Sequence, residues 1–120
     1  YQPQRGFDRS LVASLFSRML NNRFGEQGLY ILDEPEAALS PQRQLAALSR
    51  IHDLVLERSQ FIIATHSPIL MAYPDAWIYV CTPEGLQRVN YEDTEHFRVT
   101  RDFVLNPQAT LKTLLNRVNI

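Results

Sequence analysis

Two adjacent acidic residues, Asp33 and Glu34, follow a short apolar run and stand directly before a proline. Carboxylate oxygens are the ligands that hard cations such as Mg²⁺ prefer. A second carboxylate can orient or deprotonate a water molecule for in-line attack on phosphorus. A histidine, His66, follows a second apolar run and could donate a hydrogen bond to a phosphate. Together the three side chains have the chemistry of a phosphoryl-transfer site.

The two apolar runs and the segment between them predict a strand–helix–strand unit. Residues 29–32 (LYIL) and 61–65 (FIIAT) are short and rich in β-branched or aromatic side chains, which is typical of buried strands. Ser40 followed by Pro41 is a helix start signal, and the helix should continue to about Glu57. Its side chains expected to face the core are apolar: Leu45, Leu48, Ile51, Leu54 and Val55.

This arrangement predicts where the acidic pair and the histidine lie. A crossover helix of this length joins parallel strands that are neighbours or nearly so, with a right-handed connection. Parallel strands share one carboxyl edge, where open α/β sheets bind ligands. Turn capping or simple solvation would explain one acid at a strand end. The pair Asp33–Glu34, with His66 expected on the same edge, favours a site.

The flanking segments complete a mixed α/β pattern. Residues 10–22 place apolar side chains at helical spacing and predict an amphipathic helix. Residues 76–81 (AWIYVC) predict a third strand, followed by a hairpin partner after a TPEG turn. In this strand Cys81 is expected to be a core residue, and Trp77 and Tyr79 are expected to be core or core-edge aromatics. The tail predicts two helical pieces separated at Asn106–Pro107.

Composition limits the classes of function and the compartment. The 120 residues are enough for one domain, and a formal net charge of -1 gives no electrostatic footprint for nucleic acid or an anionic membrane. No apolar run approaches the roughly 20 residues of a membrane span. No signal peptide is recognisable. A single cysteine fits a reducing compartment, so we expect a cytoplasmic location.

The stretch from Gly28 to Pro68 resembles one family of ATPases. "LYILDEPEAALSP" looks like the Walker B motif and D-loop of ABC-type ATPases, in particular the AAA-family group related to the RecF and SMC proteins. "IIATHSP" looks like their switch-histidine loop, or H-loop, at the chain spacing of that family. The resemblance implies an α/β fold, namely a partial P-loop NTPase (ABC-ATPase-like) with parallel strands, a crossover helix and a helical C-terminal tail.

The resemblance also implies a role for each matched residue. Asp33 would help to hold Mg²⁺ through water, and Glu34 would be the general base for the hydrolytic water. His66 would contact the γ-phosphate of ATP. Residues 37–40 would form the D-loop, with Ser40 at the nucleotide site, although many family members have Asp at that position. In such families the D-loop touches the other subunit, so a homodimer or heteromer through the nucleotide site is expected.

The phosphate-binding loop of this family, G-x-x-x-x-G-K-[ST], is absent from the 120 residues. No glycine begins that pattern, and the only lysine, Lys112, lies in the tail. The signature segment expected upstream of Walker B is degenerate, with Leu11, Val12 and Ala13 in its place. We therefore expect residues 1–120 to form a single partial ATPase domain that needs a P-loop from elsewhere.

Three origins and three functions follow from this incomplete motif set. A chain that begins with Tyr1 could be an excerpt of a longer ATPase, a split gene product or a relic. The expected function is Mg-dependent ATP binding and hydrolysis once the P-loop is supplied. The alternative is a catalytically inactive interaction domain that pairs with a complete ATPase. A metal-dependent phosphoesterase using the same three residues is disfavoured, because further carboxylate or histidine ligands are missing.

Overall fold

A computed structural model describes residues 28–116 of the chain. These residues fall into two compact units, which divide between Tyr73 and Pro74. The helix predicted for residues 10–22 and the degenerate signature segment lie outside the described residues. Along the chain the first unit contains these elements: β1 (Leu29–Asp33), a 3-10 turn (Pro35–Ala38), α1 (Pro41–Leu56), β2 (Gln60–Ala64) and α2 (Pro68–Met71).

Strands β1 and β2 are parallel neighbours, as the crossover pattern predicts. Their register pairs Leu29 with Gln60 and Asp33 with Ala64, so both strands end at the same level. The Glu34 backbone N–H donates to the Ala64 carbonyl at 2.6 Å, which continues the ladder one residue beyond β1. The carboxyl ends of the two strands are therefore held side by side.

Helix α1 begins at the predicted start signal. The Ser40 hydroxyl accepts a hydrogen bond from the Arg43 backbone N–H at 3.2 Å, and Pro41 occupies the first helical position. Proline has no N–H to leave unpaired there, and its fixed φ suits a helix. The helix ends at Leu56, within a residue of the expected end, and Arg58 then takes a left-handed φ of 68°.

Removing this cap should weaken the first unit. We expect Ser40→Ala to lower the free energy of unfolding by about 1 kcal/mol, because the Arg43 N–H loses its side-chain acceptor. Urea denaturation followed by far-UV circular dichroism measures the change. Ser40→Asp is the matched control, since its carboxylate keeps an acceptor at the helix N-terminus. Equal stability of the Ala and Asp variants would contradict a capping role.

The buried side of α1 differs from the predicted one by one position. Gln44, Ala47, Ile51 and Leu54 are its buried residues, spaced three or four apart. Leu45 was predicted to face the core and is 51% exposed. One residue turns a helix by about 100°, so the stripe that passes through Gln44 turns Leu45 away. Leu48 and Val55 pack beside the core as predicted.

The two-stranded sheet is covered on one face within the described part of the chain. Tyr30 and Phe61 pack against the core, and their rings stack with centroids 4.8 Å apart. On the opposite face Leu29 is 59% exposed, Ile31 71% and Ile62 53%. The prediction of buried strands therefore holds, in residues 28–116, for one face of the sheet only.

The second unit contains a hairpin and two helices. Strands β3 (Ile78–Thr82) and β4 (Gly85–Val89) pair antiparallel, and Gly85 has a φ of 116°, which favours glycine. A 3-10 turn follows at Tyr91–Asp93. The remaining elements are α3 (Glu95–Leu105) and α4 (Pro107–Asn116). The predicted hairpin and the predicted helix break at Asn106–Pro107 are both confirmed.

Three residues predicted as core or core-edge in this unit, Trp77, Tyr79 and Cys81, are exposed. Trp77 is 66% exposed and carries the Arg88 guanidinium 4.2 Å above its ring centroid. Cys81 is an exposed free thiol. A two-stranded ribbon cannot shield both of its faces by itself, and three consecutive residues of β3, from Tyr79 to Cys81, are exposed. Among the helices of residues 28–116, none combines the length and the apolar sequence needed to cross a bilayer.

Candidate functional site

The carboxyl edge of the parallel sheet brings three of the sequence-predicted site residues together. Asp33 is the last residue of β1 and pairs in register with Ala64, the last residue of β2. Glu34 and His66 each follow within two residues of those ends. The carboxylate pair and the histidine thus follow two adjacent strand ends, which is the arrangement needed for residues that act on one ligand.

Glu34 has an unusual backbone conformation for a non-glycine residue. Its φ of 48° and ψ of 54° lie in the left-handed region. Such a conformation costs on the order of 1–3 kcal/mol and persists only where neighbouring structure enforces it. Here the Glu34 N–H is bound to Ala64, and the Glu34 carbonyl accepts from the Ala37 N–H at 3.1 Å. Strained residues of this kind concentrate at functional sites.

Glu36, an acidic residue of the 3-10 turn that follows Glu34, connects the ends of β1 and β2. Its Oε1 accepts a hydrogen bond from the Thr65 hydroxyl at 2.7 Å. Its Oε2 accepts from the His66 backbone N–H at 3.0 Å. The sequence reasoning missed Glu36, although an acid three residues after Asp33, beside a predicted Thr–His loop, is a signal that could have drawn attention to it.

The segment that carries the histidine, residues 65–67, is here called the His66 loop. Within it the Ser67 N–H donates to the Thr65 hydroxyl at 2.9 Å. The Ser67 hydroxyl caps α2 by accepting from the Leu70 N–H at 3.1 Å, and it donates to Oε1 of Gln44. The Gln44 amide group in turn donates to the Leu39 carbonyl at 3.2 Å. Gln44, a buried polar residue of α1, therefore supports the His66 loop at Ser67, whereas Glu36 supports it at Thr65 and His66.

Ser40 has a different setting from the other three predicted residues. It lies after the 3-10 turn, is exposed, and its hydroxyl caps α1 through the Arg43 N–H. This contact is a helix N-cap. The assignment of Ser40 to a nucleotide site stays a prediction. Asp33 and His66 are also exposed, whereas Glu34 is half-buried.

The donor chemistry of the edge fits Mg²⁺. Asp33 and Glu34 supply hard carboxylate oxygens at the end of β1, and Mg²⁺ typically takes only one or two carboxylates together with water and substrate phosphates. Across residues 28–116, no three His, Cys, Asp or Glu side chains are grouped closely enough to hold a metal ion by themselves. Asp33 is the exposed carboxylate of the pair and the candidate ligand.

Comparison with known proteins gives one family. The family described as "AAA domain, putative AbiEii toxin, Type IV TA system" matches residues 8–72, which is more than half of the chain. No curated protein and no solved structure matches the chain. The matched range includes Asp33, Glu34 and His66, and the small parallel sheet with its crossover helix is consistent with a P-loop NTPase fold. The chain belongs to this family of AAA domains.

Proposed function

We propose that the chain is the hydrolysis side of an ATP site, in an ABC-type AAA ATPase of the group related to RecF and SMC. The observation that carries this proposal is the common sheet edge, where Asp33 and Ala64 pair in register. Two acids follow one strand and a histidine follows the other, in the order that the Walker B and H-loop motifs require. The family match supports the coarser part of this proposal, a nucleotide-binding domain of AAA type.

Each residue of the edge has a distinct task in the proposed reaction. Glu34 accepts the proton of the attacking water. Its backbone is held in the left-handed conformation by hydrogen bonds at its N–H and its carbonyl. His66 donates a hydrogen bond to the terminal phosphate. Asp33 holds Mg²⁺ together with the phosphates, and the bound ion neutralises phosphate charge.

The chain lacks the loop that would supply most contacts to the phosphates. In P-loop enzymes backbone N–H groups and a lysine cradle the phosphate chain, and no such pattern occurs in the 120 residues. A polypeptide carrying that loop therefore has to complete the site. Residues 37, 38 and 40 of the proposed D-loop are exposed, which leaves this segment accessible to a second subunit.

Nucleotide titration tests the proposal. We expect the 120-residue chain alone to show no Mg-ATP binding by calorimetry at high micromolar nucleotide. The same titration should show binding and turnover after the chain is combined with a polypeptide that carries the P-loop, either encoded upstream in frame or by a neighbouring gene. In the complex with the P-loop polypeptide, Asp33→Asn should raise the Mg²⁺ concentration needed for turnover. Tight binding by the chain alone would contradict the proposal.

The missing P-loop also supports a second candidate, an inactive interaction domain that pairs with a complete ATPase. The two candidates differ in one measurable result. The affinity of an inactive domain for its partner would not change when Asp33 or Glu34 is replaced. The complex would hydrolyse ATP only at the partner's own site. Loss of turnover in the Asp33→Asn complex would exclude this candidate.

A further inference from the structure

We propose that Glu36 is a positioning residue that holds the His66 loop against the turn (Pro35–Ala38) that directly follows Asp33 and Glu34. This inference rests on the proposed function, since the position of His66 matters only if it acts on a phosphate. Glu36 does not contact the reacting groups in this proposal. It acts through the backbone of the loop that presents the histidine.

The geometry of the Glu36 carboxylate carries the inference. One oxygen accepts from the Thr65 hydroxyl at 2.7 Å and the other from the His66 N–H at 3.0 Å. Both oxygens are therefore engaged by two successive residues, which fixes the position and the direction of the backbone that enters His66. Hydrogen bonds to an ionised carboxylate are about twice as strong as bonds between neutral groups.

A second set of bonds completes the support of the loop. The Thr65 hydroxyl, while donating to Glu36, accepts from the Ser67 N–H at 2.9 Å. Ser67 is buried and its hydroxyl is bound to Gln44 of α1. The loop is thus held at Thr65 and His66 by Glu36, and at Ser67 by Gln44. Of these two supports, only Glu36 belongs to the turn that directly follows the acidic pair.

The consequence is a direct connection between the segment that carries the proposed base, Glu34, and the loop that carries His66, the proposed hydrogen-bond donor to the terminal phosphate. Glu34 and Glu36 are two residues apart in one turn, and His66 is bonded to that turn through its own N–H. A displacement of the turn therefore carries the His66 loop with it. Misplacement of a catalytic group by about 1 Å can cost on the order of 100-fold in rate, so this connection is expected to control turnover.

Hydrogen exchange on the full chain tests the contact without any activity. We expect Glu36→Ala to speed exchange of the His66 amide about tenfold or more, which is the effect of losing a bond to a charged acceptor. Glu36→Gln should give a smaller increase, because its amide keeps one acceptor oxygen. Glu84→Ala, which removes an exposed acid from the β3–β4 turn, is the control and should leave the exchange rate of the His66 amide unchanged. An unaltered His66 amide in Glu36→Ala would overturn the proposal.

Turnover of the complex with the P-loop polypeptide tests the positioning role. We expect Glu36→Ala to reduce kcat about 10- to 100-fold with little change in KM for ATP, and Glu36→Gln to recover part of the loss. Thr65→Val removes one of the two hydrogen bonds of the Glu36 carboxylate from the other side, and its effect should not add fully to that of Glu36→Ala. Faster His66 exchange with an unchanged kcat would overturn the positioning role. Absence of turnover in the unmodified complex would instead contradict the proposed function, and the exchange result would still decide whether Glu36 holds the loop.

Discussion

Replacing Glu34 with Gln should preserve ATP binding and reduce turnover about 100-fold or more, once the P-loop polypeptide completes the site. The amide has nearly the same shape as the carboxylate but cannot take a proton from water. General acid–base groups contribute roughly 100- to 10,000-fold to rate, so the loss should be large. The substitution also keeps the side-chain size at a residue whose left-handed backbone is already constrained on both sides.

Single-turnover hydrolysis and equilibrium ATP binding, measured on the same complex, separate the two effects. Glu57→Gln is the matched control, because it makes the same chemical change at the far end of α1 from the site. It should leave both quantities unaltered. Unchanged turnover in Glu34→Gln would contradict the assignment of Glu34 as the base. Loss of binding together with turnover would show that Glu34 holds the nucleotide instead.

Truncation of Leu54 to Ala should destabilise the first unit by about 2–5 kcal/mol. Leu54 is 0% exposed and lies on α1 among the core residues Leu39, Ala47, Ile51 and Leu70. Removing its side chain takes apolar atoms out of the core and leaves a cavity that surrounding groups fill only in part. Domains have a total stability of roughly 5–15 kcal/mol, so this change would use up much of it.

Urea denaturation of the full chain measures this loss. Leu56→Ala is the control, since Leu56 lies two residues further along the same helix and is 69% exposed. It should change the free energy of unfolding by less than about 0.5 kcal/mol, as is usual for surface positions. Similar effects of the two substitutions would show that the stability of the first unit does not depend on the core around Leu54.

The local elements of the first unit could be predicted because their signals are local. The Ser40–Pro41 start of α1 depends on one hydroxyl and one ring within a single turn. Apolar runs of strand length mark β1 and β2, and a crossover helix of this length between them indicates a parallel pair. The common edge for Asp33, Glu34 and His66 follows from that topology alone.

The interior face of α1 was predictable only in outline. Periodicity limits the buried stripe to one side of the helix. It does not decide whether that stripe passes through Gln44 or through the next residue, Leu45. The stripe passes through Gln44, whose amide binds Leu39 and Ser67. A polar residue occupies the buried position because the nearby Leu39 carbonyl and Ser67, 23 residues away, satisfy its hydrogen bonds in the interior. Hydrophobicity alone ranks the two residues in the wrong order.

The sequence by itself determined the strand–helix–strand order, the shared edge for the acidic pair and the histidine, and the lack of a P-loop in these residues. Tertiary structure decided the left-handed turn at Glu34 and the bonds from Glu36 to Thr65 and His66. The reason is range: propensity and periodicity act over a few residues, whereas Glu36 meets partners 29 and 30 residues away. Such contacts exist only after β1 and β2 have paired in register.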